Sequence, residues 1–131
     1  MPQKLTLAAA RNVPWAPTIE IRYPGAELPL SGATVKMQVR LYPGADGAAL
    51  IDLTDITFED LEDVSAGWRV LRLYPEVAQA TLAGLPTGLN QPEAGDADRF
   101  FHDIVIEYSD GAVDRPAAGE FLLEPGVTID G

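Results

Sequence analysis

The stretch Phe100–Thr128, FFHDIVIEYSDGAVDRPAAGEFLLEPGVT, constrains the fold more than any other part of the chain. Phe100, His102, Ile104, Ile106 and Tyr108 fall on one side of an extended run, and Phe101, Asp103, Val105 and Glu107 on the other. Alternation of this length marks a strand packed on one face. Ser109-Asp110-Gly111 supplies turn chemistry, because Asp tolerates a left-handed backbone and Gly adopts it without steric cost. Beyond the turn Phe121 and Leu123 share one parity, and Pro125-Gly126 closes the run. The spacing predicts a β-hairpin and antiparallel β structure.

Other segments follow the same period. Thr18–Tyr23 sets Ile19, Ile21 and Tyr23 against Thr18, Glu20 and Arg22, and Pro24-Gly25 ends it. Thr34–Tyr42 sets Val35, Met37, Val39 and Leu41 against Thr34, Lys36, Gln38, Arg40 and Tyr42. A one-residue slip there would put the whole apolar set in water, so its register is strongly specified. Ala49–Leu53 and Ile56–Leu61 read as shorter strands. In Trp68–Tyr74 two parities compete, Trp68 and Val70 against Leu71 and Leu73, and a bulge is one way to reconcile them. Pro75–Ala83 is the one helical candidate, with Pro suited to the first turn and Glu76 to the N-terminal dipole. Leu89–Arg99 is polar with Gly and Pro and reads as a mobile loop.

Six to eight strands, one short helix near residues 75–83 and no βαβ alternation predict an all-β chain. The expected architecture is a single antiparallel β-sandwich, Ig-like or Greek-key-like. Residues 1–17 stand apart from this pattern. Lys4–Leu7 is a short extended entry, and Pro14 and Pro17 keep the following segment out of a helix. The expected division is an extended N-terminal arm over 1–17 and a sandwich domain over 18–131. Trp15 is read as a core residue, with an exposed anchor as the alternative.

With 131 residues the chain is long enough to bury a core without staples. It contains no cysteine, which excludes disulfides, thiolate zinc sites and thiol nucleophiles and fits a reducing cytosol. Apolar runs are too short to span a membrane, and the N-terminus lacks the apolar core of a signal peptide. The formal charge is −11, so a nucleic-acid partner is disfavoured. That charge is uneven. Residues 1–43 hold five basic residues against two acidic ones, a balance of +3, and residues 44–131 hold four against eighteen, a balance of −14.

Little in the sequence offers reaction chemistry. His102 is the sole histidine, and its neighbour Asp103 points to the opposite face of a strand and cannot orient the ring. No Gly-rich phosphate loop is present. Asp46-Gly47 and Asp96-Ala97-Asp98 lack the ordered spacing of an EF-hand loop. No catalytic, cofactor or metal residue is therefore expected. A calcium- or carbohydrate-binding β-sandwich module is kept as an alternative, since acidic loops and the aromatics Trp15 and Trp68 are its raw materials.

Several features recur in one order. Trp15 precedes an alternating strand, and Leu-Ser-Gly-Ala-Thr (30–34) leads into a strand ending MQVR (37–40). AGWRVLRL then runs into PEVAQATLAGLP, and HisAspIle (102–104) meets a Ser-Asp-Gly turn, a Gly-Glu-Phe strand and a closing PGVT (125–128). Over nearly its whole length the pattern resembles the baseplate-upper-protein N-terminal-like group of tailed-phage tail proteins. It differs in having His102 where an aromatic is usual, and in the loop Thr87–Arg99. The resemblance implies a non-enzymatic virion protein, assembled in the host cytoplasm, in a tail tip, baseplate or fibre attachment. A head-decoration or head-fibre anchoring subunit is the alternative. Its partners would be other phage structural proteins and copies of itself. The expected assembly interface comprises Lys4, Leu5, Leu7, Arg11 and Trp15 of the arm with Lys36, Gln38 and Arg40 of one strand. The charge asymmetry favours head-to-tail docking.

Overall fold

A computed structural model describes residues 3–128. In chain order the strands are β1 (Gln3–Lys4), β2 (Leu7–Ala10), β3 (Ile19–Pro24), β4 (Thr34–Arg40), β5 (Ile51–Leu53), β6 (Thr57–Glu62) and β7 (Trp68–Tyr74). A five-residue helix α1 (Gln79–Ala83) follows, then β8 (Asp98–Glu107) and β9 (Val113–Glu124). The larger sheet runs β1-β9-β8-β4-β5, with β2 also on β9, and the smaller runs β3-β7-β6. The protein is an all-β sandwich. Its order is immunoglobulin-like: β3, β7 and β6 take the places of strands B, E and D, and β4, β8 and β9 those of C, F and G. With no cysteine in the chain, no disulfide joins the sheets; core packing does, helped by Gln3 of β1 donating to the Arg22 carbonyl of β3 at 2.6 Å.

The strongest alternations lie where they were expected. Val35, Met37 and Val39 face inward opposite Ile106, Ile104 and His102. Phe100, Ile104, Ile106, Phe121 and Leu123 are all buried in the same core, and Leu41 packs at its margin. Tyr108–Ala112 closes the hairpin, with Gly111 at φ +88° and the Ala112 N–H donating to Asp110 Oδ1 at 2.9 Å.

Four details differ from the sequence reading. First, residues 3–10 are not an arm beside the domain. β1 and β2 run parallel to β9, pairing Leu7 with Phe121 and Ala9 with Leu123, and Leu7 and Ala9 are core residues. The small side chains of Ala8–Ala10 suit this edge, and the pairing adds two short parallel ladders, both on β9, to an otherwise antiparallel sandwich. Second, β7 has no bulge. Its register is continuous with β3 and β6, so Leu71 and Leu73 face the core while Trp68 and Val70 face out. Third, the break in register falls between β8 and β9, where Ile104 pairs with Ala117 but Ile106 with Asp114. The extra β9 residue lies around Pro116, which has no N–H for the ladder. Fourth, the helix begins at Gln79 rather than Pro75. Val77 is extended and exchanges two backbone hydrogen bonds with Trp15, at 3.0 and 2.8 Å.

Trp15 itself is in the core. Its ring meets Phe121 edge-on at 5.1 Å between centroids, and its Nε1 donates to Ala8 O at 3.0 Å. Among the described residues no helix is long and apolar enough to cross a membrane.

Candidate protein-interaction surface

The surface that draws attention lies on the outer face of the larger sheet, and its first wall is the chain's own N-terminal strand. That strand kinks at Leu5-Thr6, between β1 and β2. Leu5 N donates to Ala118 O at 2.9 Å, and the Leu5 carbonyl turns over Gly119. A side chain at Gly119 would collide with the Leu5 backbone, so this central strand position requires glycine. Through the gap His102, one strand further in, donates from Nε2 to Leu5 O at 2.8 Å. That contact fixes the proton on Nε2, and Nδ1 is buried without a partner. Burial pushes the His102 pKa below its ordinary value, outweighing the Leu5 carbonyl and Asp103, which favour the cation; Arg115 adds to the depression.

The opposite wall is the Pro43-Gly44 turn after β4. Between the walls lies a groove of about 800 Å³. Its floor is built from two cross-strand rows, Arg40–Phe101–Glu120 and Gln38–Asp103–Ala118. Arg115 donates to Asp103 at 3.0 Å, and Arg99 lies 3.7 Å from Glu120. Arg40 is held differently, donating to the carbonyls of Ala45 and Gly47 at 3.0 and 2.7 Å and to Gln38 Oε1 at 3.1 Å. Among the described residues neither Arg40 nor Lys4 has a carboxylate partner. The groove lining thus holds Lys4, Arg40 and Arg115 against Asp103 and Glu120, a positive surface on a chain of charge −11.

Of the eight residues expected at an interface, Lys4, Leu5, Gln38 and Arg40 meet in this groove. Lys36 is on the same side of β4 but outside it, bonded to Glu107 at 2.9 Å, which raises the Lys36 pKa and lowers that of Glu107. Leu7 and Trp15 are core residues and present no surface.

Arg11 is an internal fastener. Its guanidinium donates to the carbonyls of Leu82, Leu85 and Pro86 around the end of α1 and pairs with Asp98 at 3.0 Å. Asp98, almost wholly buried, also accepts from Thr87 Oγ1 and Gly88 N, each at 2.8 Å. Burial alone would push its carboxyl up, but the Gly88, Thr87 and Arg11 donors outweigh this and hold it below the ordinary value.

The groove residues that the sequence did not single out are Phe101, Asp103, Arg115 and Glu120. An aromatic at the outward parity of an otherwise clean strand, as Phe101 is, was the available signal. Gly119 was a second one, since glycine inside a strand marks close backbone approach.

The outer face of the smaller sheet is arranged otherwise. Arg72 bonds Glu20 at 2.8 Å, and Arg22 bonds Asp63 at 2.6 Å while lying 4.9 Å from the Trp68 ring. Val70 beneath them is only 8% exposed. Asp60, on the inward parity of β6, accepts from Tyr23 and Arg69. Much of the acidic cluster of residues 52–63 is thus engaged in local pairs, and among the described residues no group of three or more His, Asp or Glu converges to hold a metal ion.

Compared with known proteins, the chain matches no family model, and no curated protein matches it.

Proposed function

We propose that the chain is a non-enzymatic structural subunit of a tailed-phage virion, working through protein–protein contacts in a tail tip, baseplate or fibre attachment. The observation that carries this reading is the groove where Lys4, Leu5, Gln38 and Arg40, four of the expected interface residues, meet on one sheet face. The order of turns and strand ends that resembles the baseplate-upper-protein group supports it. So does the sandwich, which is the fold the resemblance implies. The groove is preformed: one wall is locked by the His102–Leu5 contact, and Arg40 holds the turn beside the other. A rigid surface of this kind spends little entropy on docking.

The test is mass spectrometry of purified virions with copy number determined. The chain is expected in stoichiometric amount, and fractionated tails and heads decide between the tail reading and a head-decoration role. If it is missing from purified particles of its phage, the reading fails.

A further inference from the structure

Past Leu85, which packs in the core, the loop between α1 and β8 leaves the fold's interior, yet it is built with care. Its base is clamped by Asp98, which takes the Thr87 hydroxyl and the Gly88 N–H and is itself held by Arg11. Asn90 donates to Leu41 O and Arg99 O, both at 3.1 Å, and accepts from Arg99 N at 3.3 Å. Across the tip Gln91 donates to Asp96 O at 2.8 Å and Asp96 N to Glu93 O at 3.1 Å. What this scaffold presents to solvent is an apolar side chain, Leu89, 61% exposed, and two carboxylates, Glu93 and Asp96. Neither carboxylate is in an ion pair among the described residues.

These features are the complement of the groove. The groove has an apolar floor at Phe101 and Ala118 and two cations, Lys4 and Arg40, lacking a carboxylate among the described residues. We propose that the groove receives the 87–97 loop of a second copy of this chain, with Leu89 on the Phe101–Ala118 floor and Glu93 and Asp96 against Lys4 and Arg40. Asn90 ties the loop to Leu41 and Arg99, the positions flanking the Arg40–Phe101 row. Loop and groove therefore belong to the same end of the larger sheet, so a pair of copies can exchange the contact reciprocally. A loop already hydrogen-bonded into shape loses little freedom on docking, and opposite charge fixes its orientation. This inference rests on the assembly reading above for its setting.

The experiment uses the intact chain, whose lack of cysteine leaves introduced thiols unambiguous. T6C protein mixed with L89C protein should form a disulfide-linked heterodimer under mild oxidation, faster than either forms homodimers alone. In sedimentation velocity the wild type should self-associate with rising concentration. The L89S/E93K/D96K variant should associate roughly tenfold or more weakly, the scale expected on losing an apolar anchor with its rim charges. K4E should weaken association less, and K4E/E93K should recover part of the loss, a rescue that a folding defect would not give. A wild type that stays monomeric to its solubility limit, or a loop variant that associates as the wild type does, overturns the proposal. The two readings fail separately: monomeric protein that still enters virions defeats the loop–groove contact alone, and self-associating protein absent from virions defeats the virion role alone.

Discussion

On the larger sheet the outward side chains leave Lys4 and Arg40 without a carboxylate among the described residues and Phe101 on the floor of an open groove. On the smaller sheet the outward cations Arg22 and Arg72 each have a carboxylate at hand, and Val70 is covered beneath them. The two faces come from similar residue types. They differ in where the neutralising partner sits: on the smaller sheet within the same face, on the larger one nowhere among the described residues for two of its cations. A partner approaching the smaller face has first to break pairs already made, whereas one approaching the larger face completes them.

The contrast is sharpest at two valines. Val39 faces the core from β4, and Val39→Asp should abolish folding, since an unpaired buried carboxylate costs a large share of the ~5–15 kcal/mol that holds a domain together. Val70 faces out from β7 beneath two arginines, so Val70→Asp should fold with a lowered melting temperature. Circular dichroism melts decide it, and equal loss in both would mean that β7 has been assigned the wrong outward face.

Ion pairs give the next largest difference. Asp98→Ala leaves the Arg11 guanidinium buried without its counter-charge and should cost about 3–5 kcal/mol in urea unfolding. Glu20→Ala on the smaller sheet removes a solvent-facing partner and should leave the urea midpoint within error. Similar midpoints for the two variants would erase the distinction between fastener and surface pair.

A smaller effect is expected at the wall of the groove. Gly119→Ala forces the Leu5 backbone off β9 and should cost about 1–3 kcal/mol, as overpacking does. Amide exchange should speed up at Leu5 and along β2 and stay unchanged on the smaller sheet. Exchange rising evenly over both sheets would show that the wall is not a separate element.

The smallest effect is in pH. His102 is held neutral with its pKa depressed, so the unfolded chain takes up the proton first. Its contribution is complete above the ordinary value of about 6.5 and falls away as pH drops from there toward the lower native value. Carboxylate titration sets in only below about pH 5, so stability between roughly pH 6.5 and 5 isolates this one ring. His102→Gln, which keeps a donor for Leu5, should flatten that slope. A slope that survives the substitution would place the titrating group elsewhere.

Sequence reading went furthest where one face alone is apolar. β3, β4 and β8 were legible because a slip of one residue would have inverted every side chain. β7 was not, because Trp68 and Val70 are apolar on its outer face and rest under Arg22 rather than in the core. β1 and β2 escaped because their parallel partner, β9, lies at the far end of the sequence and no local turn announces the pairing. The groove was half legible. Lys4, Leu5, Gln38 and Arg40 came from charge and position, but Phe101, Asp103, Arg115 and Glu120 enter only through the β8–β9 register and the offset near Pro116. Arg11 was misplaced at the surface because nothing in its local sequence points to Asp98, which becomes its neighbour only through tertiary folding.

The parallel ladder between β2 and β9 also bears on how the chain is born. Leu7 leaves the ribosome long before Phe121, its partner more than one hundred residues on. At about 5–20 residues per second the nascent first strand waits on the order of ten seconds for the strand that receives it. Over that interval β2 and the unfinished β8 edge are unpaired templates for other nascent chains. Closure of the larger sheet, and with it the wall at Leu5, therefore waits for β9, so no nascent chain presents the finished groove before Phe121 has been made.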